Sequence, residues 1–264
     1  MKKIKKWDRW GFELKCSCCQ KTSLFRTKRQ LDKQQLHFCR PCAALKASYI
    51  ARGVNTWKFQ NSNFFNSPDL KSFYWAGFIA ADGYIETKKN QVTLKLSEKD
   101  VCQLKQFIKD VGSNARVLNS GLENRKRVII TDEHWIYNLA NTFNIHQAKS
   151  LNHLPPQDSF WTDDQKKAFI IGYLDGDGTI CFCGKQKYLK LGFIGTKEFL
   201  TWIKNFLVHY YQISLKSTCI QHKKKCVGKN VYELTIYCSK AQKVLQDLKQ
   251  LPIYKLERKW ERVC

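Results

Sequence analysis

Two short runs place carboxylates where a helix least favours them. AFIIGYLDGDGTI, residues 168–180, is apolar at helical spacing and then turns to Asp175, Gly176, Asp177 and Gly178. FYWAGFIAADGYI, residues 73–85, repeats the device with Asp82 and Gly83. The last turn of a helix already presents partial negative charge, so an acid there is disfavoured. Two such ends brought together are worse, because like charges in one site oppose each other's ionisation. Sequences keep local violations of this kind mainly where they serve chemistry. A hard divalent cation, Mg²⁺ or Mn²⁺, relieves the repulsion through oxygen ligands. Held between two carboxylates and a phosphodiester, such ions activate water and stabilise the leaving oxygen.

Chemistry of this kind needs elements that bring the acids together. Gly77 and Gly172 fall inside the two helices, where glycine costs roughly 0.5 to 1 kcal/mol against alanine. The cost is tolerable where two helices must meet backbone to backbone. Gly83 and Gly178 follow the acids and are expected as left-handed C-caps. Asp82 and Asp177 stand 95 residues apart, and the flanking pattern recurs with that period. QVTLKLS, VCQLKQFIKDV, RVIIT and HWIYNLANTF follow the first motif; YLKLGFI, EFLTWIKNFLVHYY, VYELTIY and AQKVLQDLKQL follow the second. Val92, Leu94 and Leu96, then Leu189, Leu191 and Phe193, alternate as half-buried strands do, leaving Thr93, Lys95, Tyr188 and Lys190 on the opposite face. Leu104, Phe107, Ile108 and Val111 keep helical spacing. Each unit thus runs helix, hairpin, helix, hairpin, helix. The expected fold is α+β, a pseudo-twofold αββαββα repeat with units at 71–160 and 161–264.

WAGFIAADG (75–83) and IIGYLDGDG (170–178) resemble the two motifs of a single-chain LAGLIDADG homing endonuclease, and the likeness extends over about residues 70–264. The resemblance implies a saddle whose strands lie in the DNA major groove. It implies that the eighth motif positions, Asp82 and Asp177, are metal-binding carboxylates, with backbone carbonyls of Ala81 and Gly176 beside them. It also implies a basic residue late in each repeat that steadies the attacking water or transition-state charge. Lys149 fits the first unit, and either Lys255 or Lys259 the second. The sixth position is Asp175 in one motif and Ala80 in the other, and Trp75 replaces the opening Leu, which points to asymmetry between the two sites. The implied activity is site-specific hydrolysis of one phosphodiester per strand, leaving short 3′ overhangs. Two motifs in one chain imply a monomer able to read an asymmetric target. An RNA maturase acting on an intron, or a catalytically silent DNA-binding regulator, is the alternative.

Charge supports a polyanionic partner. Among 264 residues, 46 Lys and Arg face 22 acids, a net charge of +24. Such an excess repels itself unless an anionic partner absorbs it, and nucleic-acid phosphate does so independently of sequence. Thr93, Lys95, Arg125, Lys185, Lys187, Lys190 and Lys223, on strand faces and hairpins, are the candidate DNA contacts; base-edge contacts alone among them would specify sequence. No apolar run approaches the ~20 residues needed to span a bilayer, so no membrane partner is expected.

Residues 1–54 form a separate expectation. Cys16-x-x-Cys19 and Cys39-x-x-Cys42 are two pairs spaced for tetrahedral zinc, in a segment with little core of its own. Cys18 is a spare thiol, and FCRPCAALKAS is expected to begin a helix, as in a treble-clef finger or zinc ribbon. Twelve cysteines without a secretory signal point to an intracellular, reducing compartment. Cys102, Cys219, Cys226, Cys238 and Cys264 are expected as buried or incidental thiols. NTWKFQNSNFFNSPDL, residues 55–70, is rich in Asn and Ser and is expected as a linker.

Overall fold

A computed structural model describes residues 2–6, 9–16, 19–25, 42, 60–121, 124–148, 152–184, 186–223 and 230–263. Lys149, Lys185, Cys18, Cys39, Cys226 and Cys264 lie outside the described residues. The chain divides into two units, residues 1–64 with 105–116, and residues 65–104 with 117–264.

In the first unit, strands β1 (Lys2–Lys6), β2 (Arg9–Lys15) and β3 (Thr22–Phe25) form a three-stranded antiparallel sheet. The turn after β2 closes through Gln20 N–H donating to Cys16 C=O at 3.0 Å and Cys16 N–H donating to Lys21 C=O at 2.9 Å.

The larger unit holds the repeats apart from residues 105–116, which include most of the first repeat's second helix. Helix α1 (Leu70–Asp82) leads into β4 (Gly83–Glu86) and β5 (Gln91–Ser97). Helix α2 (Val101–Asp110), strands β6 (Leu118–Asn119) and β7 (Arg125–Thr131) and helix α3 (Glu133–Phe143) follow. The second copy runs α4 (Asp163–Asp177), β8 (Thr179–Cys183), β9 (Tyr188–Gly195), α5 (Lys197–Tyr211), β10 (Thr218–His222), β11 (Tyr232–Tyr237) and α6 (Cys238–Gln250). A short helix, α7 (Glu257–Trp260), comes last. Both sheets are antiparallel and have one strand order, β4-β5-β7-β6 and β8-β9-β11-β10. The repeat expected from sequence is therefore present twice.

Helix starts follow from local chemistry. Thr162 and Gln165 form a reciprocal capping box at α4, and Asp69 accepts from Lys71 N–H at 3.0 Å to cap α1. From Ser72 to Ala81 every residue of α1 is buried, the signature of a helix enclosed on all sides. Its principal neighbour is α4. A Cβ added to Gly77 would fall 2.0 Å from the carbonyl oxygen of Phe169, and one added to Gly172 would fall 1.9 Å from that of Tyr74. The two backbones touch, as the interior glycines required.

Gly83 and Gly178 correct an expectation. Their φ values are −77° and −86°, in extended rather than left-handed backbone. Crowding explains them instead: a Cβ on Gly83 would lie 2.6 Å from Ile79 O, and one on Gly178 2.3 Å from Leu174 Cδ1. The stretch expected as a linker also ends in core. Phe65 is 1% exposed and stands edge-on to Trp135 at 4.9 Å. Rings then bridge the repeats: Phe73 to Phe143 at 5.3 Å, Phe143 to Phe169 at 6.0 Å, and Phe169 to Phe199 at 6.3 Å. Each fully buried ring contributes about 1.5 to 3 kcal/mol. Cys102, Cys219 and Cys238 are exposed rather than buried.

Candidate functional site

Asp82 closes α1 and Asp177 closes α4, and both are exposed although the turns before them are buried. The glycine contact that joins the helices brings these ends together. A Cβ on Gly176 would lie 2.3 Å from Ala81 Cβ and 3.4 Å from Asp82 Oδ2. The buried Tyr173 hydroxyl feels both acids. Burial raises its pKa well above the ordinary value, and the negative charges of Asp177 and then Asp82 raise it further. That hydroxyl donates to Ile194 C=O at 2.7 Å, which locks the ring beside the acids. Ala80, Ala81, Tyr173, Asp177, His153 and Thr196 line a cleft of about 160 Å³. The His153 ring stacks on Phe199 at 3.9 Å, and its backbone carbonyl accepts from Thr196 Oγ1. Sequence reasoning passed over this histidine, which lies between α3 and α4.

Lys255 and Lys259 have different places. Lys259 Nζ lies 2.8 Å from the carbonyl oxygens of Leu174, Gly176 and Gly178 and 2.7 Å from that of Asp175, so its three N–H groups are shared among four acceptors. It thereby gathers the carbonyls at the end of α4, one of which, that of Leu174, also accepts from Gly178 N–H, and a cation there complements the helix dipole. Burial lowers its pKa to about 8, against the opposing pull of Asp175, Asp82 and Asp177. Lys255 Nζ instead turns to its own loop, donating to the carbonyls of Leu251 and Ile253, and lies 5.8 Å from the Trp260 ring. Burial lowers its pKa as well. Gly176 C=O therefore already accepts one hydrogen bond, and Ala81 lies against the Gly176 backbone.

Asp175 points away from the exposed acids into the interior, 1% exposed. It accepts from Tyr74 Oη at 2.8 Å, Leu256 N–H at 2.8 Å and Trp260 Nε1 at 2.6 Å. Burial raises its pKa, and these hydrogen bonds oppose the rise. Gln103 Nε2 donates in turn to Tyr74 Oη. Arg258 forms a two-pronged pair with Asp100 at 2.7 and 2.8 Å. The segment around α7 is thus tied to both repeats, an arrangement that spacing alone did not signal.

The strand faces divide as the alternation requires. Thr93 and Lys95 are half-buried on the outer face of β5, and Arg125 is exposed at the start of β7. Arg127, directly across from Lys95, joins them. It was legible in RKRVIIT, two residues from Arg125 on the same face. Tyr84, 55% exposed, faces Thr93 across β4 and β5. On the second sheet Lys190 is bound at 2.6 Å to Glu233, so its charge is already matched. Lys187 is exposed in the turn before β9, and Lys223 is half-buried after β10. The first sheet face is consequently the more basic of the two among the described residues.

In the smaller unit, the Sγ atoms of Cys16, Cys19 and Cys42 all lie within 4.8 Å of one another. Cys16 and Cys42 are buried, and Cys42 is helical. Tetrahedral zinc–thiolate bonds of about 2.3 Å place sulfurs about 3.8 Å apart, inside that limit, so the donors fit zinc. Among the described residues no helix is long and apolar enough to cross a membrane.

No protein-family model and no curated protein sequence matches the chain. In structure it is similar to a lysine-to-alanine point mutant of the meganuclease I-SmaMI, with 13% identity, 74% of this chain and 88% of that chain covered, and a TM-score of 0.50. It is similar also to LAGLIDADG meganuclease I-AabMI bound to uncleaved DNA, at 16% identity, 74% and 87% coverage and a TM-score of 0.48. A third is I-SmaMI bound to an uncleaved DNA target in the presence of calcium ions, at 13% identity, 72% and 86% coverage and a TM-score of 0.48. The first likeness shows the fold: mixed α+β, with two four-stranded antiparallel sheets, as in a meganuclease.

Proposed function

We propose that the chain is a monomeric, site-specific DNA endonuclease that hydrolyses one phosphodiester in each strand of a duplex. The observation that carries this is the pair Asp82 and Asp177: exposed acids on two helix ends that glycine contacts force together. Such a pair is expensive without a cation and well suited to one. The donor set is hard oxygen, the two carboxylates with the carbonyls of Ala81 and Gly176, and fits Mg²⁺ or Mn²⁺. When bound, the metal supplies Lewis acidity and an activated water.

The chain's own residues do the rest. Asp82 and Asp177 hold negative charge at the seam. Lys259, fixed by four carbonyls at the end of α4, presents positive charge beside Asp177 and is the better candidate than Lys255, whose ammonium is committed to its own loop. Lys149 is proposed for the same task in the first repeat. Thr93, Lys95, Arg125 and Arg127 would contact DNA along the first sheet, and Lys185, Lys187, Lys190 and Lys223 along the second. Cys16, Cys19 and Cys42 hold structural zinc with Cys39 as the fourth ligand, forming an accessory DNA-binding module over 1–54.

The test is cleavage of a randomised duplex library with magnesium present. Asp82→Asn and Asp177→Asn should each abolish double-strand cleavage while leaving duplex affinity intact. Wild-type cutting rates in both variants would remove the assignment. Wild-type protein that binds duplex DNA without cutting it under any metal would be a regulator instead.

A further inference from the structure

The segment 251–263 carries more contacts to the helix ends than a tail needs. Leu256 N–H and Trp260 Nε1 both donate to Asp175, Lys259 covers the end of α4, and Arg262 Nη1 donates to Ile180 C=O at 3.0 Å. Arg258 adds the paired contact to Asp100 in the first repeat. Asp175 is the anchor common to the two contacts that flank Lys259, and Tyr74 fixes it from α1. The matching position in the first motif is Ala80, 3% exposed, which offers no side-chain acceptor.

We infer that Asp175 is a positioning residue that serves the second half-site above the first: by gripping Leu256 and Trp260 it seats Lys259 against the carbonyls that precede Asp177. The inference rests on the nuclease reading, and it adds that the two strand cuts depend on differently built supports. A carboxylate accepting three hydrogen bonds in the interior has no substitute when it is lost. Asparagine keeps the shape but turns one acceptor into a donor that faces other donors. The second-half support therefore loosens most, because Lys259 sits at its helix end; the first half meets the segment through Tyr74 and the Arg258–Asp100 pair and is affected less. A purely structural Asp175 would weaken both cuts and duplex binding together.

Two measurements decide it. The first needs no nucleic acid. Trypsin should cut Asp175→Asn rapidly after Lys255, Arg258, Lys259 or Arg262, and wild type slowly; equal protection of these bonds in both proteins overturns the grip. The second uses end-labelled duplex recovered from a magnesium-treated random library. In Asp175→Asn one strand should be cut roughly 10- to 100-fold more slowly, as loss of a charged hydrogen-bond acceptor allows, with the other strand slowed several-fold less and the dissociation constant unchanged. Trp260→Phe, which removes a single donor and keeps a ring, should slow the same strand to a lesser extent and covers the case in which Asp175→Asn does not fold. Equal slowing of both strands overturns the inference. If wild type cuts no duplex, the nuclease reading falls, and the trypsin comparison still decides whether Asp175 grips the segment.

Discussion

The Lys259 ammonium lies 2.8 Å from the carbonyl oxygen of Gly176, the residue immediately before Asp177. Burial draws this lysine down to about 8, whereas an unfolded lysine titrates near 10.4. Below pH 8 both states hold the proton, and the folded state bears the full penalty. Between the two values the unfolded chain holds a proton that the folded chain has released, so the stability contributed by this group rises with pH there. Unfolding by urea at a series of pH values should therefore move wild type relative to Lys259→Met by about 3 kcal/mol in favour of wild type across that window. A constant difference between the two proteins would show that the ammonium is not strained by its surroundings. At neutral pH the lysine remains charged, as its proposed role beside Asp177 requires.

Gly77→Ala and Gly172→Ala each drive a methyl into a facing backbone carbonyl, at 2.0 and 1.9 Å. Overpacking against side chains costs about 1 to 3 kcal/mol, and a backbone cannot rotate aside. Each variant should lose more than about 3 kcal/mol in denaturant midpoint analysis. A loss below about 1 kcal/mol, the low end of that overpacking range, would mean that the helices can separate without consequence.

Glu233→Gln removes the partner of Lys190 on the outer face of the second sheet. If that face lies on DNA, the released ammonium gains a phosphate, and the slope of log affinity against log salt steepens by about 0.9. Titration of nonspecific duplex by fluorescence anisotropy at several salt concentrations reads the slope. No change would place Lys190 away from the nucleic acid.

Zinc removal should act on the smaller unit. Strong chelation, or Cys16→Ser, should release one equivalent of zinc and melt the three-stranded sheet, since structural zinc contributes about 10 to 16 kcal/mol of folding free energy in small modules. The transition of the unit containing α1 and α4 should persist. Purified protein without stoichiometric zinc would refute the metal assignment.

Much of the repeat was legible because one physical rule governed each stretch. Val92, Leu94 and Leu96 alternate with Thr93 and Lys95, and the sheet buries the first set while presenting the second. The interior glycines announced close helices for the reason the structure bears out. Gly83 and Gly178 were expected as left-handed caps because glycine at a helix end usually means that; here crowding against Ile79 and Leu174 selects it at negative φ.

The parts that escaped were long-range. Asp175 meets Leu256 and Trp260, which lie 81 and 85 residues away, and Lys190 meets Glu233 at a separation of 43. Nothing in either local sequence marks its partner. Lys255 and Lys259 look alike as letters four apart, and the folded backbone alone distinguishes a loop clamp from a helix cap. No strand was expected in lysine-dense KKIKKWDRWGFELK, although Trp10, Phe12 and Leu14 alternate with Arg9, Glu13 and Lys15, and it supplies β1 and β2.

Arg258 and Asp100 are separated by 158 positions along the chain. The first repeat therefore gains one of its braces only after the residues between them have been made, and non-local closures of this kind form slowly. A polypeptide halted before residue 256 would contain both acids without the lysine and arginine that secure their surroundings. The two repeats are thus completed together, by a segment made after both.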